Sequence, residues 1–209
     1  MANKEIEDFI TDLQKCEQIF SEPVENIYSS KTFVGAENNV NNLRLYLNKM
    51  FELKPKYMIV GEAPGYRGCR WSGIPFTSEK TIVTNGFFNK EYKVRNKKKP
   101  QSETSATRVW NCFKELKEIP LIWNAFPFHP YYKDNVESNR PLNSEELSFG
   151  KEKLETLIEI FNIDKANIIA VGEKAQKCLA LLFIKEVVHP AARGITTEDF
   201  INSMKAVIK

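Results

Sequence analysis

Short apolar runs alternate with amphipathic stretches along the chain. Four runs have the length of buried strands, and each ends at a turn that carries a polar residue or glycine. These runs are residues 57–60, 121–123, 167–171 and 186–188. Apolar residues at helical spacing predict helices between and before them, over residues 4–20, 40–51, 105–116, 144–161 and 172 to about 182. Strands that alternate with helices predict an α/β fold, a three-layer α/β/α arrangement around a central four-stranded parallel sheet.

One long segment between the first two predicted strands lacks a clear period. From Glu79 to Glu103 the sequence is polar and basic, and residues 90–99, just before Pro100, contain six lysine or arginine residues. We expect a long exposed excursion here. A solvated loop and a segment that contacts phosphate groups are both consistent with this charge pattern.

Length, charge and cysteine content narrow the class of protein. The chain has 209 residues, enough for one substantial core, so we expect a single domain over residues 1–209. The formal net charge of +3 is compatible with a polyanionic partner without establishing one. The charged start of the chain and the lack of any apolar run of membrane-spanning length predict a cytoplasmic protein. Four scattered cysteines without a CxxC pair predict reduced thiols and no metal site: Cys16, Cys69, Cys112 and Cys178.

Polar residues follow three of the predicted strands. Glu62, Asn124 and His189 stand at the carboxyl ends of these strands, where ligands bind in parallel α/β sheets. Each residue alone has an ordinary structural explanation, as a turn carboxylate, a capping amide or a hydrogen-bonded loop histidine. Together they predict one shared pocket. An asparagine amide offers a donor and an acceptor to the edge of a planar base, the ring of Phe76 offers a stacking face, and a histidine stabilises negative charge on a leaving base.

Several motifs occur in an order that resembles a known family. They are Gly61-Glu-Ala-Pro-Gly65, Gly73-Ile-Pro-Phe76, Asn124, Asn139-Arg-Pro with Glu145-Glu-Leu, Val171-Gly-Glu-Lys-Ala175 and His189-Pro-Ala. This set resembles the uracil-DNA glycosylase superfamily over roughly residues 57–194. It is most similar to the family-four bacterial and archaeal enzymes, whose first motif also reads Gly-Glu-Ala-Pro-Gly.

The resemblance implies roles for the residues of the pocket. Phe76 would stack on a uracil flipped out of DNA, and Asn124 would read the Watson–Crick edge of this base. His189 would hydrogen-bond the uracil O2 as the glycosidic bond breaks. The backbone of Glu62 and Ala63 would help line the pocket.

The resemblance also implies two DNA contacts outside the pocket. Thr77 stands where relatives use a small hydroxyl residue near a DNA phosphate. Arg193 occupies the wedge position of the loop that would press into the minor groove, as an arginine does in the single-strand-selective monofunctional relatives.

This chain departs from the family pattern at several positions. Family-four enzymes hold an iron–sulfur cluster through four cysteines. Here Cys16 stands alone, and Phe128 lies about where a ligand would follow the asparagine, so we predict no cluster and no other cofactor.

Three further departures concern the reaction and the DNA contacts. Ala63 replaces the water-activating aspartate of family one, which leaves Glu62 as the obvious carboxylate for positioning water. Gly65 replaces the tyrosine that excludes thymine in family one, so substrate choice would be looser. Ala191 replaces a serine, which would remove one phosphate contact.

The leading hypothesis is a monomeric, monofunctional DNA glycosylase that flips uracil out of single- or double-stranded DNA and hydrolyses its N-glycosidic bond. A second hypothesis keeps the fold and changes the base to hypoxanthine or xanthine. A third is a damaged-DNA binding protein with weak or no catalysis. A flavodoxin-like nucleotide-binding domain is a more distant alternative, because the chain has neither a GxGxxG motif nor a P-loop.

Overall fold

The computed structural model describes residues 2–179 and 185–208. Its strands, in chain order, are β1 (Val24–Glu25), β2 (Met58–Gly61), β3 (Leu121–Asn124), β4 (His129–Pro130), β5 (Ile168–Val171) and β6 (Lys185–Val187). Its α-helices are α1 (Ala2–Lys15), α2 (Ala36–Leu53), α3 (Cys69–Ser72), α4 (Glu79–Thr84), α5 (Thr104–Phe113), α6 (Ser144–Phe161), α7 (Glu173–Leu179) and α8 (Thr197–Val207). A short 3₁₀ helix, Lys165–Asn167, leads into β5.

Four of the strands form a parallel sheet in the order β3-β2-β5-β6. Strands β2, β3 and β5 are buried along their whole length, as expected for a parallel sheet covered on both faces. Helices α1, α2 and α6 pack together, and α5 packs on α8, which in turn contacts β6. The prediction of an α/β fold with a four-stranded parallel sheet between helices is therefore confirmed. Strands β1 and β4 form a separate antiparallel pair.

The helices differ from their predicted bounds mainly at the ends. Helix α1 stops at Lys15, so Cys16 and Phe20 follow it as loop residues, although the Phe20 ring still packs edge-on against Phe126. Helix α2 is longer than predicted at both ends. It stops where Lys54 adopts a left-handed conformation with φ 51°. The predicted end of the helix that contains α7 lies outside the described residues.

The basic segment is packed against the core and is not the fully exposed excursion that the sequence predicted. Glu79 is buried, and its two carboxylate oxygens accept from the backbone N–H groups of Arg95 at 2.6 Å and Gln101 at 3.0 Å. The rings of Phe88 and Tyr92 are also buried. The lysines of this segment remain exposed, so its charge faces solvent while its backbone is held by a buried carboxylate.

The C-terminal helix α8 was not predicted. Its first turn is fixed by a capping box in which Thr196 accepts from the Asp199 N–H and the Asp199 carboxylate accepts from the Thr196 N–H. Phe200 and Met204 lie one turn apart on the inner face of this helix, and both are fully buried. Among the helices of the described residues, none is both long and apolar enough to cross a bilayer.

Candidate active site

The carboxyl ends of the parallel strands open into a cleft of about 1110 Å³. The predicted site residues that line this cleft are Glu62, Ala63, Phe76, Asn124, His189 and Arg193. They come from loops that are up to 131 residues apart in sequence, from Glu62 to Arg193, and they meet because parallel strands end at one edge of the sheet. The single shared pocket expected from the strand ends is therefore present.

Asn124 ends strand β3 and is buried on the floor of the cleft, with 4% of its surface exposed. Its strand partner is Gly61 of β2. A Cβ atom at Gly61 would come within 2.7 Å of both Asn124 Oδ1 and the Phe76 ring, so only glycine lets these two side chains meet over the strand end. Asn124 Nδ2 lies 4.0 Å from the sulfur of Cys69.

Phe76 is held in an unusual backbone conformation beside this amide. Its φ of 46° lies in the left-handed region, which costs a non-glycine residue about 1–3 kcal/mol and is concentrated at functional sites. The preceding turn is over-determined by hydrogen bonds that compensate for this cost. Ser72 Oγ donates to the carbonyl of Thr77 at 2.6 Å, and the Tyr28 hydroxyl donates to the carbonyl of Gly73 at 2.9 Å.

Thr77 does not occupy the position expected of a phosphate contact. The residue is completely buried. Its hydroxyl donates to the Pro75 carbonyl at 3.0 Å and accepts from the indole Nε1 of Trp110 at 3.0 Å. Both hydrogen-bonding functions are thus used inside the protein, because α5 places an aromatic residue directly over this threonine.

His189 follows β6 and has a defined tautomer. The backbone N–H of Ala191 donates to His189 Nδ1 at 3.1 Å, so the neutral ring carries its proton on Nε2. Burial lowers the pKa of His189, and the positive charge of Lys174 lowers it further. Both effects favour the neutral imidazole near pH 7.

Gly172 makes room for this histidine. Its φ is 86°, and a Cβ atom there would come within 2.7 Å of the His189 Cβ. The Gly172 N–H donates to the Val187 carbonyl at 3.0 Å. The turn after β5 therefore passes close under the residue that β6 delivers to the cleft.

Glu62 lies in the first turn but is paired with a cation. Its Oε2 is 3.2 Å from the ammonium group of Lys174, and its side chain is 22% exposed. The same turn is held from below by His129, which is buried and has Nδ1 2.8 Å from the Pro64 carbonyl. Its other ring nitrogen lies 2.9 Å from the Val136 carbonyl.

The loop after His189 is fastened by Arg108, which the sequence analysis missed. This arginine projects from α5, and its Nη1 donates to the carbonyls of Pro190 and, at 2.6 Å, Ile195. The loop between these two carbonyls exposes Arg193 beside the cleft. No local pattern marks Arg108 for this role, because its partners follow it by more than 80 residues.

Glu103 is another of the carboxylates that line the cleft, and sequence reasoning missed it. It directly precedes α5. A Cβ atom at Gly65 would lie 2.8 Å from Glu103 Oε1, and one at Gly68 would lie 2.0 Å from Oε2. The carboxylate is therefore packed against the glycine-rich loop that follows the first turn.

The donor set does not fit an iron–sulfur cluster or another bound metal. The four cysteines are separate free thiols. Within residues 2–179 and 185–208, no group of three or more histidine, cysteine, aspartate or glutamate side chains is arranged to hold a metal ion. A cluster of the family-four type needs several thiolates at one place.

Comparison with known proteins agrees with the fold and the motifs. A family model described as the uracil DNA glycosylase superfamily matches residues 49–207. The chain belongs to the uracil-DNA glycosylase superfamily. Members of this superfamily are DNA glycosylases that remove bases from DNA.

One solved structure supports the superfamily fold independently. The crystal structure of wild-type SMUG2 from Pedobacter heparinus superposes with a TM-score of 0.72, at 16% sequence identity, over 98% of this chain and 95% of that chain. At this identity the likeness concerns the fold. No curated protein sequence is a significant match.

Proposed function

We propose that this chain is a monofunctional DNA glycosylase that flips uracil out of DNA and hydrolyses its N-glycosidic bond. The proposal is supported above all by one convergence: the amide of Asn124, the ring of Phe76 and the Nε2–H group of a neutral His189 all face one cleft. These are the groups needed to read a base edge, to stack on a base and to stabilise a departing base anion.

Base recognition is assigned to Asn124 and Phe76. The buried amide presents a donor and an acceptor side by side, which matches the N3–H and carbonyl groups of uracil. The aromatic ring lies against the same strand end and supplies a face on which the flipped base stacks. Because both side chains are fixed by close packing around Gly61, little conformational entropy is lost when the base binds.

Charge stabilisation is assigned to His189. As the C1′–N1 bond breaks, the electron pair moves onto the base, and negative charge develops on its carbonyl O2. The Nε2–H group donates to this oxygen without transferring its proton. A donor that is fixed before the reaction is the arrangement that stabilises such charge most effectively.

DNA binding is assigned to the rim of the cleft. Arg67, Lys174 and Arg193 are exposed and line the opening, so they lie where DNA phosphates would approach. Each phosphate contact releases counterions and makes binding salt-dependent. Arg193, at the tip of the loop held by Arg108, is the side chain placed to enter the minor groove beside a flipped base. The protein is proposed to act as a monomer.

A set of oligonucleotides tests the function. Purified protein is incubated with single-stranded, U:A and U:G substrates in enzyme excess, followed by alkaline cleavage at abasic sites. Asn124→Ala and His189→Ala are each expected to lose about 100-fold or more in rate, the usual effect of removing one preorganised donor. Asn111→Ala, an exposed asparagine on α5, is the matched control and should cleave like the wild type.

The same assay separates the alternatives. Duplexes with hypoxanthine or xanthine in the same sequence context test the second base class. Salt-sensitive binding to uracil-DNA without release of free base would indicate a damage-binding protein instead. Intact strands with every lesion would sink the glycosylase proposal.

A further inference from the structure

The cleft contains a carboxylate that the family motifs do not assign. Resting on the proposed glycosylase function, we propose that Glu103 is the catalytic group that orients the attacking water and accepts its proton. This role needs an acceptor that lines the cleft and has free lone pairs. Glu103 meets both requirements in the geometry below.

The position of Glu103 is set by two glycines. Its Oε1 would be 2.8 Å from a Cβ atom at Gly65, and its Oε2 would be 2.0 Å from one at Gly68. A side chain at either position would displace the carboxylate from the cleft wall. The loop after the first motif thus has the residues that admit Glu103, although they lie more than 30 positions before it in sequence.

Glu103 also lies on the side of the cleft where the base is read. Its carboxylate packs against Gly68, the residue before Cys69 in sequence. Burial raises the pKa of the Cys69 thiol, and the negative charge of Glu103 raises it further. The sulfur of Cys69 is in turn 4.0 Å from Asn124 Nδ2. Glu103, which packs against Gly68, and Asn124, which lies near the next residue Cys69, are therefore on the same side of the cleft.

Glu62, the carboxylate of the first turn, is less suited to activating the water. Glu62 is paired with Lys174 at 3.2 Å, so one of its carboxylate oxygens is already engaged by an ammonium group. The next residue, Ala63, has no group that binds water. Within the described residues, Glu103 has no ion-pair partner within 4.0 Å.

The environment adjusts this carboxylate toward base catalysis. Burial raises the pKa of Glu103, and the hydrogen bond from Ser105 offsets part of that rise. A carboxylate with a raised pKa is a stronger base once it is ionised, and general bases act best when their pKa lies near the working pH. Cys69 is the titratable neighbour whose pKa responds to this charge, and its thiol stays protonated because its own pKa is raised.

The proposed step balances without a metal or redox partner. The C1′–N1 bond breaks, and its electron pair leaves with the base, whose negative charge is stabilised by the Nε2–H group of His189. The water oxygen forms a bond to C1′. One water proton moves to the Glu103 carboxylate, leaving an abasic deoxyribose, the base anion and a protonated Glu103.

Glu103→Gln tests the step in the full-length protein under single-turnover conditions with uracil-DNA. We expect the rate to fall about 100-fold or more, the range of general acid–base catalysis, while DNA affinity measured by fluorescence anisotropy stays within about twofold, as expected when a group acts only in the transition state. The wild-type rate should rise with pH through the raised pKa of Glu103. This rise on the acidic side of the pH–rate profile (the acidic limb) should be absent in the variant. Glu115→Gln, an exposed glutamate beyond α5, is the matched control.

Several outcomes would overturn the inference. A Glu103→Gln rate within about threefold of wild type would do so, and so would a Glu62→Gln variant that alone removes the acidic limb. Equal losses of affinity and rate, with an unchanged pH profile, would indicate a structural role. If Glu103→Gln does not unfold cooperatively, Glu103→Asp is used instead. Its carboxylate is withdrawn by one methylene, and a misplacement of about 1 Å should lower the rate by about 100-fold.

Failure of the inference and failure of the proposed function are distinguishable. A wild-type protein that releases no free base from any lesion rejects the glycosylase function itself. A wild-type protein that releases uracil, together with a fully active Glu103→Gln variant, rejects only the role of Glu103.

Discussion

The backbone N–H of Ala191 donates to Nδ1 of His189 over 3.1 Å. This bond is available only while Nδ1 has no proton, so protonation of the ring would set two N–H groups against each other. The hydrogen bond therefore supports the neutral form, in agreement with the lowered pKa of His189. The unfolded chain binds this proton more readily than the folded protein does. His189 therefore lowers the free energy of unfolding as the pH falls below its ordinary pKa of 6.5, and it has no such effect well above that pH.

Lys174→Gln should raise the pKa of His189. Burial is the larger cause of the lowered value and remains in the variant, but the repulsion from the Lys174 ammonium group is removed. The pKa should therefore move upward and stay below the ordinary value. The chain has two histidines, so an NMR titration of the imidazole Cε1–H signals resolves both.

Lys177→Gln is the matched control for this measurement. Lys177 is exposed on the same helix, and removing its charge should leave the pKa of His189 unchanged. The explanation fails if both variants shift the pKa equally, or if Lys174→Gln lowers it.

Arg108→Gln should loosen the loop that carries Arg193. The guanidinium group donates from α5 to the carbonyls of Pro190 and Ile195, and a glutamine amide is too short to bridge both. A lost hydrogen bond from a charged group costs about 1.5–3 kcal/mol. Trypsin should therefore cut faster after Arg193, and DNA binding should weaken. Arg108→Lys should give an intermediate result, since an ammonium lacks the planar fork.

Lys114→Gln controls for the loss of positive charge near the end of α5, where Lys114 is exposed. Its trypsin cleavage after Arg193 and its affinity for DNA should match the wild type. If trypsin cleaves Arg108→Gln after Arg193 no faster than it cleaves this control, Arg108 does not hold the loop.

The strands and the residues at their ends could be predicted because their signals are local. A buried parallel strand is a continuous apolar run, as in Met58–Gly61 and Ile168–Val171, and topology then brings the strand ends together. Asn124 and His189 were recognisable for this reason. Helix α8 also carried a local signal, the Thr196 to Asp199 capping box, and could have been found.

The remaining features depend on contacts between distant segments. Thr77 was expected near a DNA phosphate, but it is buried and its hydroxyl accepts a hydrogen bond from the indole of Trp110. The basic segment looked exposed because its anchor is the buried carboxylate of Glu79, which binds backbone N–H groups that no side-chain pattern reports. Glu103 likewise meets Gly65 and Gly68 only after folding. Neither the hydrophobic periodicity of the sequence nor the spacing of its motifs predicts contacts of this kind.

Gly172→Ala and Gly194→Ala separate two reasons why a glycine is needed in this region. Both residues have positive φ, 86° and 81°, so alanine at either position costs about 1–2 kcal/mol of backbone strain. A Cβ atom at Gly194 meets nothing within 4 Å, whereas one at Gly172 would lie 2.7 Å from the His189 Cβ. Overpacking adds about 1–3 kcal/mol, so Gly172→Ala should lower the free energy of unfolding in urea by clearly more than Gly194→Ala. It should also reduce the rate of base release, because His189 is pushed away from its hydrogen bond with Ala191. Equal losses of stability in the two variants would show that strain alone explains Gly172 and that His189 is not held by this close approach.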